Sequence, residues 1–286
     1  MSLDHSHQHA EKIGPLATET LCATRSIDIV VISLSTATER RRAIERQFSE
    51  LPHDWSFFDA HTHLKHPDLS YDETVTQRTF GRVLSQQQLA VWSSHYTVIT
   101  KFLNESDSDY LLVFEDDVIF DTAFPLGPML DFCAEHEMHY MRLFGMYAAR
   151  SRQLSFFFDR AVIRYASSPC GAQAYIVSKA GAQRLAATCR TVDTPVDLAL
   201  DQFWKTGLPI YAVFPSPVIE RFSPSSIPMQ RAEPMLLSDK VVLTARRTGR
   251  RLQKLRKNIA LRGRDREIRD TALDFVQVGQ DHVRRG

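Results

Sequence analysis

Tyr110-Leu-Leu-Val-Phe114 is an unbroken apolar run, and three acids, Glu115-Asp116-Asp117, follow it without a spacer. A run so short and so continuously apolar reads as a strand buried on both faces. Such a strand needs helices on both sides of its sheet, which narrows the chain to an α/β architecture. Open α/β sheets bind their ligands outside the carboxyl ends of the strands, where these acids lie. Adjacent carboxylates repel one another and are costly to desolvate unless a cation sits among them. Alternation along an extended chain sends Glu115 and Asp117 the same way. Carboxylate oxygens suit Mg2+ or Mn2+, and such an ion could clamp a diphosphate and neutralise it as a leaving group. The plainer alternative is a solvated acidic turn.

The segments before and after this run support the same class. Ile27 to Leu34 is a second buried strand, rich in β-branched residues. Thr36 and Glu39 have capping-box spacing, so a helix is expected from there, with Ile44, Phe48 and Leu51 on its apolar face. Trp55 to Phe58 is the next strand, ending at Asp59-Ala60, and a β-α-β opening favours parallel pairing. Residues 61–84 read as a polar surface loop, and Gln86 to Leu103 as a helix. A helix is expected over 129–138, a strand over 139–146, and a loop with one embedded strand over 147–168. Ala174 to Val177 reads as a strand and Lys179 to Ala187 as a helix. Thr194 as N-cap with Pro195 at the first helical position opens another helix. Pro209 to Phe214 is the last strand, and Pro215, Pro217, Pro224 and Pro228 make an extended segment after it. The resulting division is a flexible leader over 1–25, a catalytic domain over 26–235 and a basic tail over 236–286.

Charge separates the tail from the body. The 286-residue chain has a formal net charge of +1, yet residues 240–269 hold twelve Lys or Arg against Asp265 and Glu267, a net +10. The remainder therefore carries −9, and an acidic body with a basic tail points to an anionic partner for the tail. Val241, Ala245, Leu252, Leu255 and Ile259 share one helical face there, the pattern of a basic amphipathic helix at a membrane surface. A solvated helix is the alternative; nucleic acid is not expected, because no recognition motif accompanies the patch. Cys22, Cys133, Cys170 and Cys189 are irregularly spaced, which argues against a zinc site or a disulfide framework. Asp4, His5, His7 and Glu11 break any signal-peptide pattern. The expected location is cytoplasmic, with peripheral contact on the inner face of the cytoplasmic membrane through the tail.

Five stretches, in order, resemble glycosyltransferase family 25, the lipooligosaccharide and collagen galactosyltransferases. They are Val30–Leu34 with Glu39-Arg40-Arg41; Phe57-Phe-Asp-Ala60; Leu84-Ser85 through Ser94-His95; Val113-Phe-Glu-Asp-Asp-Val118; and Gly171–Ser178 with Pro195-Val-Asp197. Gln88, Val91 and Ile99 depart from the residues usual in the family's helix, as does Glu220 near the end. The resemblance implies a GT-A type nucleotide-sugar-binding fold, with a mixed, mostly parallel central sheet flanked by helices. It implies a UDP-sugar donor, typically UDP-galactose, a Mn2+ or Mg2+ ion, inversion at the anomeric carbon and a glycan or glycolipid acceptor.

On that resemblance Asp117 and Glu115 are the metal ligands. Ser33, Leu34, Arg41, Asp59, His95, Glu115 and Asp116 face the donor, with Arg40 or Arg41 towards phosphate and Asp59 towards uracil or ribose. Inversion needs a base for the acceptor hydroxyl. Asp197 is the first candidate, with Asp201 and Asp193 in reserve. At the third helical position after Thr194, Asp197 could equally be a helix-capping acid. Two other readings fit parts of the pattern: a different metal-dependent nucleotide enzyme, and a non-catalytic relative that keeps the fold for binding or scaffolding.

Overall fold

The computed structural model describes residues 25–221 and 237–271. Twelve strands and eight helices follow in the order β1 Ile27–Ser33, α1 Thr38–Phe48, β2 Trp55–Asp59, β3 Ser70–Tyr71, α2 Glu73–Phe80, α3 Gln86–Glu105, β4 Tyr110–Glu115, β5 Val118–Phe120, α4 Leu126–Glu135, β6 Tyr140–Arg142, β7 Ser151–Phe157, β8 Arg160–Tyr165, β9 Ala174–Ser178, α5 Lys179–Thr188, β10 Thr191–Val192, α6 Val196–Leu200, α7 Phe203–Thr206, β11 Ile210–Phe214, β12 Val218–Glu220 and α8 Leu237–Ala260. Eight of the strands form one sheet in the order β2-β1-β4-β9-β6-β11-β8-β7. β9 and β8 run against the other six, so the sheet is mixed with one dominant direction.

Strand β4 shows why the apolar run had to lie in the middle. Tyr110, Leu112 and Phe114 enter one core with Ile44 and Phe48 of α1 and Met129 and Leu130 of α4. Leu111 and Val113 point the other way, into a second core with Trp92, Ile99 and Phe102 of α3 and Leu185 of α5. Successive side chains alternate faces, so a strand covered on both sides must be apolar throughout. α3 begins with a complete capping box: Ser85 Oγ accepts from Gln88 N–H, and the Gln88 side chain accepts from Ser85 N–H at 3.0 Å.

Several local expectations are corrected. Thr36 and Glu39 form no capping box; α1 starts at Thr38 with Ala37 as N-cap and no side-chain cap. The expected loop over 61–84 contains β3 and α2, whose N-cap Asp72 accepts from Val75 N–H at 2.9 Å. The expected loop over 147–168 is a hairpin of two strands, β7 and β8, rather than one. The strand expected over 139–146 is only the three residues of β6. Short β5 and β12 pair with each other beside the acidic turn. All but the last residue of the leader expected over 1–25, together with Pro224 and Pro228, lie outside the described residues.

The segment expected to be a separate tail is packed into the fold as far as residue 271. α8 lies against α2 and α7. The helical residues 262–271 continue from it. Leu261 enters one core and Ile268 the other. Arg164 of β8 and Asp265 form a two-pronged buried ion pair, with Nε–Oδ1 at 2.6 Å and Nη2–Oδ2 at 2.7 Å. Among the described residues, no helix is long and apolar enough to cross a membrane.

Candidate active site

β1, β2 and β4 are mutually parallel, and their register brings their carboxyl ends into one row. Ser33 pairs with Asp59, and Ile32 with Glu115. β9 runs the other way, so its first residues arrive at the same edge, where Gln173 O accepts from Glu115 N–H at 2.8 Å. The sheet thus gathers Ser33, Asp59, the acidic turn and the Gly171–Gln173 loop along one edge, although they lie far apart in the chain.

The three acids have three different surroundings. Glu115 Oε1 lies 3.3 Å from Nε2 of the fully buried His95, whose Nδ1 lies 3.1 Å from the Tyr175 hydroxyl. Burial raises the Tyr175 phenol well above its ordinary range, so it keeps its proton; because the Glu115 carboxylate can only accept, the neutral His95 ring leaves Nδ1 to accept from the Tyr175 hydroxyl. Nε2 then carries the hydrogen towards Glu115. Asp116 is buried, accepts from Ser33 Oγ at 2.6 Å and pairs with Arg40 at 3.0 Å. Burial pushes its carboxyl up, while Ser33 and Arg40 act against this.

Asp117 is the exception. Its Oδ1 is buried with no hydrogen-bond partner among the described residues. Burial first, then Glu115, Asp116 and Glu220, push its carboxyl up to about 7, with Arg40 opposing. β4 ends at Glu115, so Asp116 and Asp117 form a turn rather than continuing the strand's alternation. Among the described residues, no three His, Cys, Asp or Glu side chains form a ready-made metal cage. The orphaned oxygen fits a different arrangement, in which one or two carboxylates hold a hard cation and substrate phosphates and waters complete its shell.

Arg41 and Asp59 form an ion pair, and the Arg41 guanidinium is otherwise committed. It donates to Ser33 O at 2.9 Å and Leu34 O at 3.1 Å and lies over the Phe57 ring at 4.7 Å. Arg41 therefore ties the ends of β1 and β2 together instead of standing free for a phosphate. His95, enclosed between Tyr175 and Glu115, orients Glu115 rather than reaching out to a ligand.

On the other side of the edge, Asp197 Oδ2 accepts from Gly171 N–H at 3.0 Å. The helix N-cap is Pro195, with no side-chain cap, so neither Thr194 nor Asp197 caps α6 as its sequence spacing implies. Cys170 and Gly171 both have positive φ, 60° and 76°. A Cβ at Gly171 would lie 2.3 Å from Gln173 Oε1 and 2.8 Å from the Phe144 ring, so only glycine fits there. A buried network clamps this loop. Arg142 Nη2 donates to Cys170 O at 2.8 Å and also to Gly171 O, while Nη1 donates to Tyr140 Oη at 3.1 Å and pairs with Asp201 at 3.3 Å. Asp201 accepts from Tyr140 at 3.2 Å and from Ser168 at 2.6 Å. Both Asp201 oxygens are thus engaged in the interior, and the residue holds the loop instead of serving as a reserve base. Asp193 is paired with Lys205 at 3.0 Å.

Arg142, Tyr140, Ser168 and Tyr175 were not singled out by sequence. For Arg142, Tyr140 and Tyr175 the signal available was polar side chains inside otherwise apolar strands, which must find partners when buried; Ser168 lies in a loop and gave no such signal.

The sequence profile of glycosyltransferase family 25, described as an LPS biosynthesis protein, matches residues 26–200. The chain belongs to glycosyltransferase family 25. The match contains every site residue described above except Asp201, Lys205 and Glu220. Lipooligosaccharide biosynthesis protein lic2B of Haemophilus influenzae is 26% identical over 185 residues, covering 60% of this chain and 66% of that protein. The chain thus spans slightly less than two thirds of that relative's length. Two solved structures are similar at 10% identity. One is a glycosyltransferase involved in glycosylation of the major capsid of PBCV-1, with TM-score 0.33, covering 57% of this chain and 65% of that one. The other is A197 from STIV, with TM-score 0.39, covering 73% and 100%. Likenesses this loose carry no argument about the fold.

Proposed function

We propose that this family 25 glycosyltransferase moves a sugar, galactose in the first instance, from a UDP-sugar to a hydroxyl of a lipooligosaccharide or related glycan, with inversion. The observation that carries the reading is the buried, unpartnered Asp117 oxygen at the carboxyl end of β4. Glu115 and Asp116 hold partners of their own, so among the three acids the Asp117 oxygen is the one left for a cation. A Mn2+ or Mg2+ ion held by Asp117, with Glu115 beside it, would supply charge neutralisation for a departing diphosphate. The order of parallel strands with their ligand edge at β1 and β4 supports a GT-A type nucleotide-sugar fold.

The chain's own residues do the rest. His95 and Tyr175 fix the Glu115 carboxylate, and Ser33 and Arg40 fix Asp116. Arg41 holds Asp59 at the end of β2, where it can accept from uracil or ribose. Asp197, oriented by Gly171 N–H through one oxygen, takes the acceptor hydroxyl's proton on the other as the oxygen attacks. A lipid-borne acceptor would set this work at a membrane surface. Calorimetry of UDP binding with and without Mn2+ tests the reading: wild type should bind UDP tightly only with the ion, and Asp117→Ala should lose that dependence. UDP binding indifferent to both ion and substitution would overturn it.

A further inference from the structure

α8 presents to solvent a face that its packing does not use. Its inward side is occupied: Leu243 is buried, Arg246 donates to Thr79 Oγ1 at 2.6 Å, Lys254 lies over the Trp204 ring at 4.3 Å, and Asn258 donates to Ala166 O at 3.1 Å. The helix therefore cannot roll to hide its other side. On that side Val241, Leu252, Leu255 and Ile259 are 63%, 53%, 55% and 49% exposed. Their spacing keeps them in one ridge, about 27 Å long at the rise of an α-helix.

Beside the carboxyl half of this ridge lies a cavity of about 350 Å3. Leu255 and Ile259 form one wall, and Arg150, Arg152, Arg251 and Arg262 supply its charge, with no acid among the lining residues. None of the four guanidinium groups has a carboxylate partner among the described residues, although ion pairs are made elsewhere by Arg40, Arg41, Arg142, Arg160, Arg164 and Arg264. Four arginines without a carboxylate partner among the described residues, set around one concavity with serine side chains in its lining, match a phosphate. An aliphatic ridge next to a phosphate-sized basic pocket matches the boundary between headgroups and acyl chains.

We propose that the α8 ridge and the four-arginine pocket dock the protein on an anionic phospholipid bilayer, a phosphate headgroup entering the pocket while Leu252, Leu255 and Ile259 enter the acyl boundary. The pocket also bears on the active site. Ser167 in its lining is four residues from Gly171, which holds Asp197, so the two are at most roughly 14 Å apart along the chain. Docking here brings the acceptor side of the site towards the lipid. That orientation rests on the proposed function; the docking itself does not.

Co-sedimentation of the full chain with vesicles tests it without reference to activity. Vesicles of phosphatidylcholine mixed with phosphatidylglycerol should carry the protein down, and phosphatidylcholine alone should not. At low salt each arginine removed should weaken binding about fivefold, so Arg251→Gln/Arg262→Gln should weaken it more than tenfold. Leu255→Ser/Ile259→Ser should remove the part of binding that survives high salt. Both pairs are exposed, and unchanged far-UV dichroism and melting temperature establish that each variant is folded. Sedimentation unaffected by either pair, or no sedimentation at all, overturns the proposal. Complete displacement by inorganic phosphate at matched ionic strength would reduce the pocket to a small-anion site. Tighter, arginine-dependent binding to duplex DNA than to vesicles would replace the bilayer with nucleic acid.

Discussion

Removing one carboxylate, by Asp265→Ala, should unsettle the whole domain and not merely its end. Arg164 and Asp265 are 0% and 2% exposed and meet through two hydrogen bonds. An exposed pair of this kind is worth about 0–1 kcal/mol. Removing one member of a buried pair leaves an uncompensated charge and costs roughly 3–5 kcal/mol. Arg164 Nη1 keeps its 2.8 Å bond to Asn258 Oδ1, so the lower part of that range is expected. Most of the loss is the cost of the stranded guanidinium, so Arg164→Met/Asp265→Leu should recover the greater part of it. Urea unfolding followed by far-UV dichroism measures the change. Tryptophan fluorescence reports on α8 separately once Trp55 and Trp92 are replaced by Phe, because Lys254 lies against the remaining Trp204. A loss below about 1 kcal/mol for Asp265→Ala, the range of a surface pair, would refute the view that residues up to 271 belong to the domain.

Two further outcomes are expected. Asp197→Asn should lower turnover by about 10²–10⁴ while leaving donor affinity nearly unchanged; steady-state kinetics alongside donor titration check this, and a variant that turns over normally would leave Asp197 only its bond to Gly171. Asp117 has a folded pKa of about 7 against an ordinary 3.8, so in EDTA its contribution to stability is present below about pH 4 and is lost as pH rises through about 7. Half-buried His61, His136 and His139 have lowered pKa values, from burial first, and drive the opposite trend. The melting temperature of Asp117→Asn relative to wild type, followed across that range, isolates the Asp117 contribution: the variant should gain on wild type as pH rises, and a constant difference would contradict the buried-carboxylate account.

The legible parts of the chain were those governed by local pattern. β4 announced itself because a strand covered on both faces must be apolar at every position, and the acids at its end fell where the sheet opens. Ser85 and Gln88 showed the start of α3 because a capping box is contained within four residues. Other features depended on partners distant in sequence. Asp201 looks like a spare base beside Asp197 until Arg142, Tyr140 and Ser168 are seen to enclose it. Arg41 looks free for phosphate until Asp59 and two carbonyls are seen around it. In α8 the exposed ridge was visible from spacing, but its fixed orientation was not. That depends on Leu243, Leu261, Asp265 and Ile268, which lie among arginines and lysines and meet their partners only across the fold.

The central claim is chemical and has a direct test. Wild type and Asp117→Ala are incubated with Mn2+ and each of a panel of UDP- and GDP-sugars, with and without lipooligosaccharide acceptor, and free nucleotide is measured. Release of UDP from UDP-galactose by the wild type, dependent on Mn2+, raised by acceptor and absent in Asp117→Ala, is the predicted result. Equal nucleotide release by both proteins, or none by a folded wild type from any donor in the panel, would contradict it.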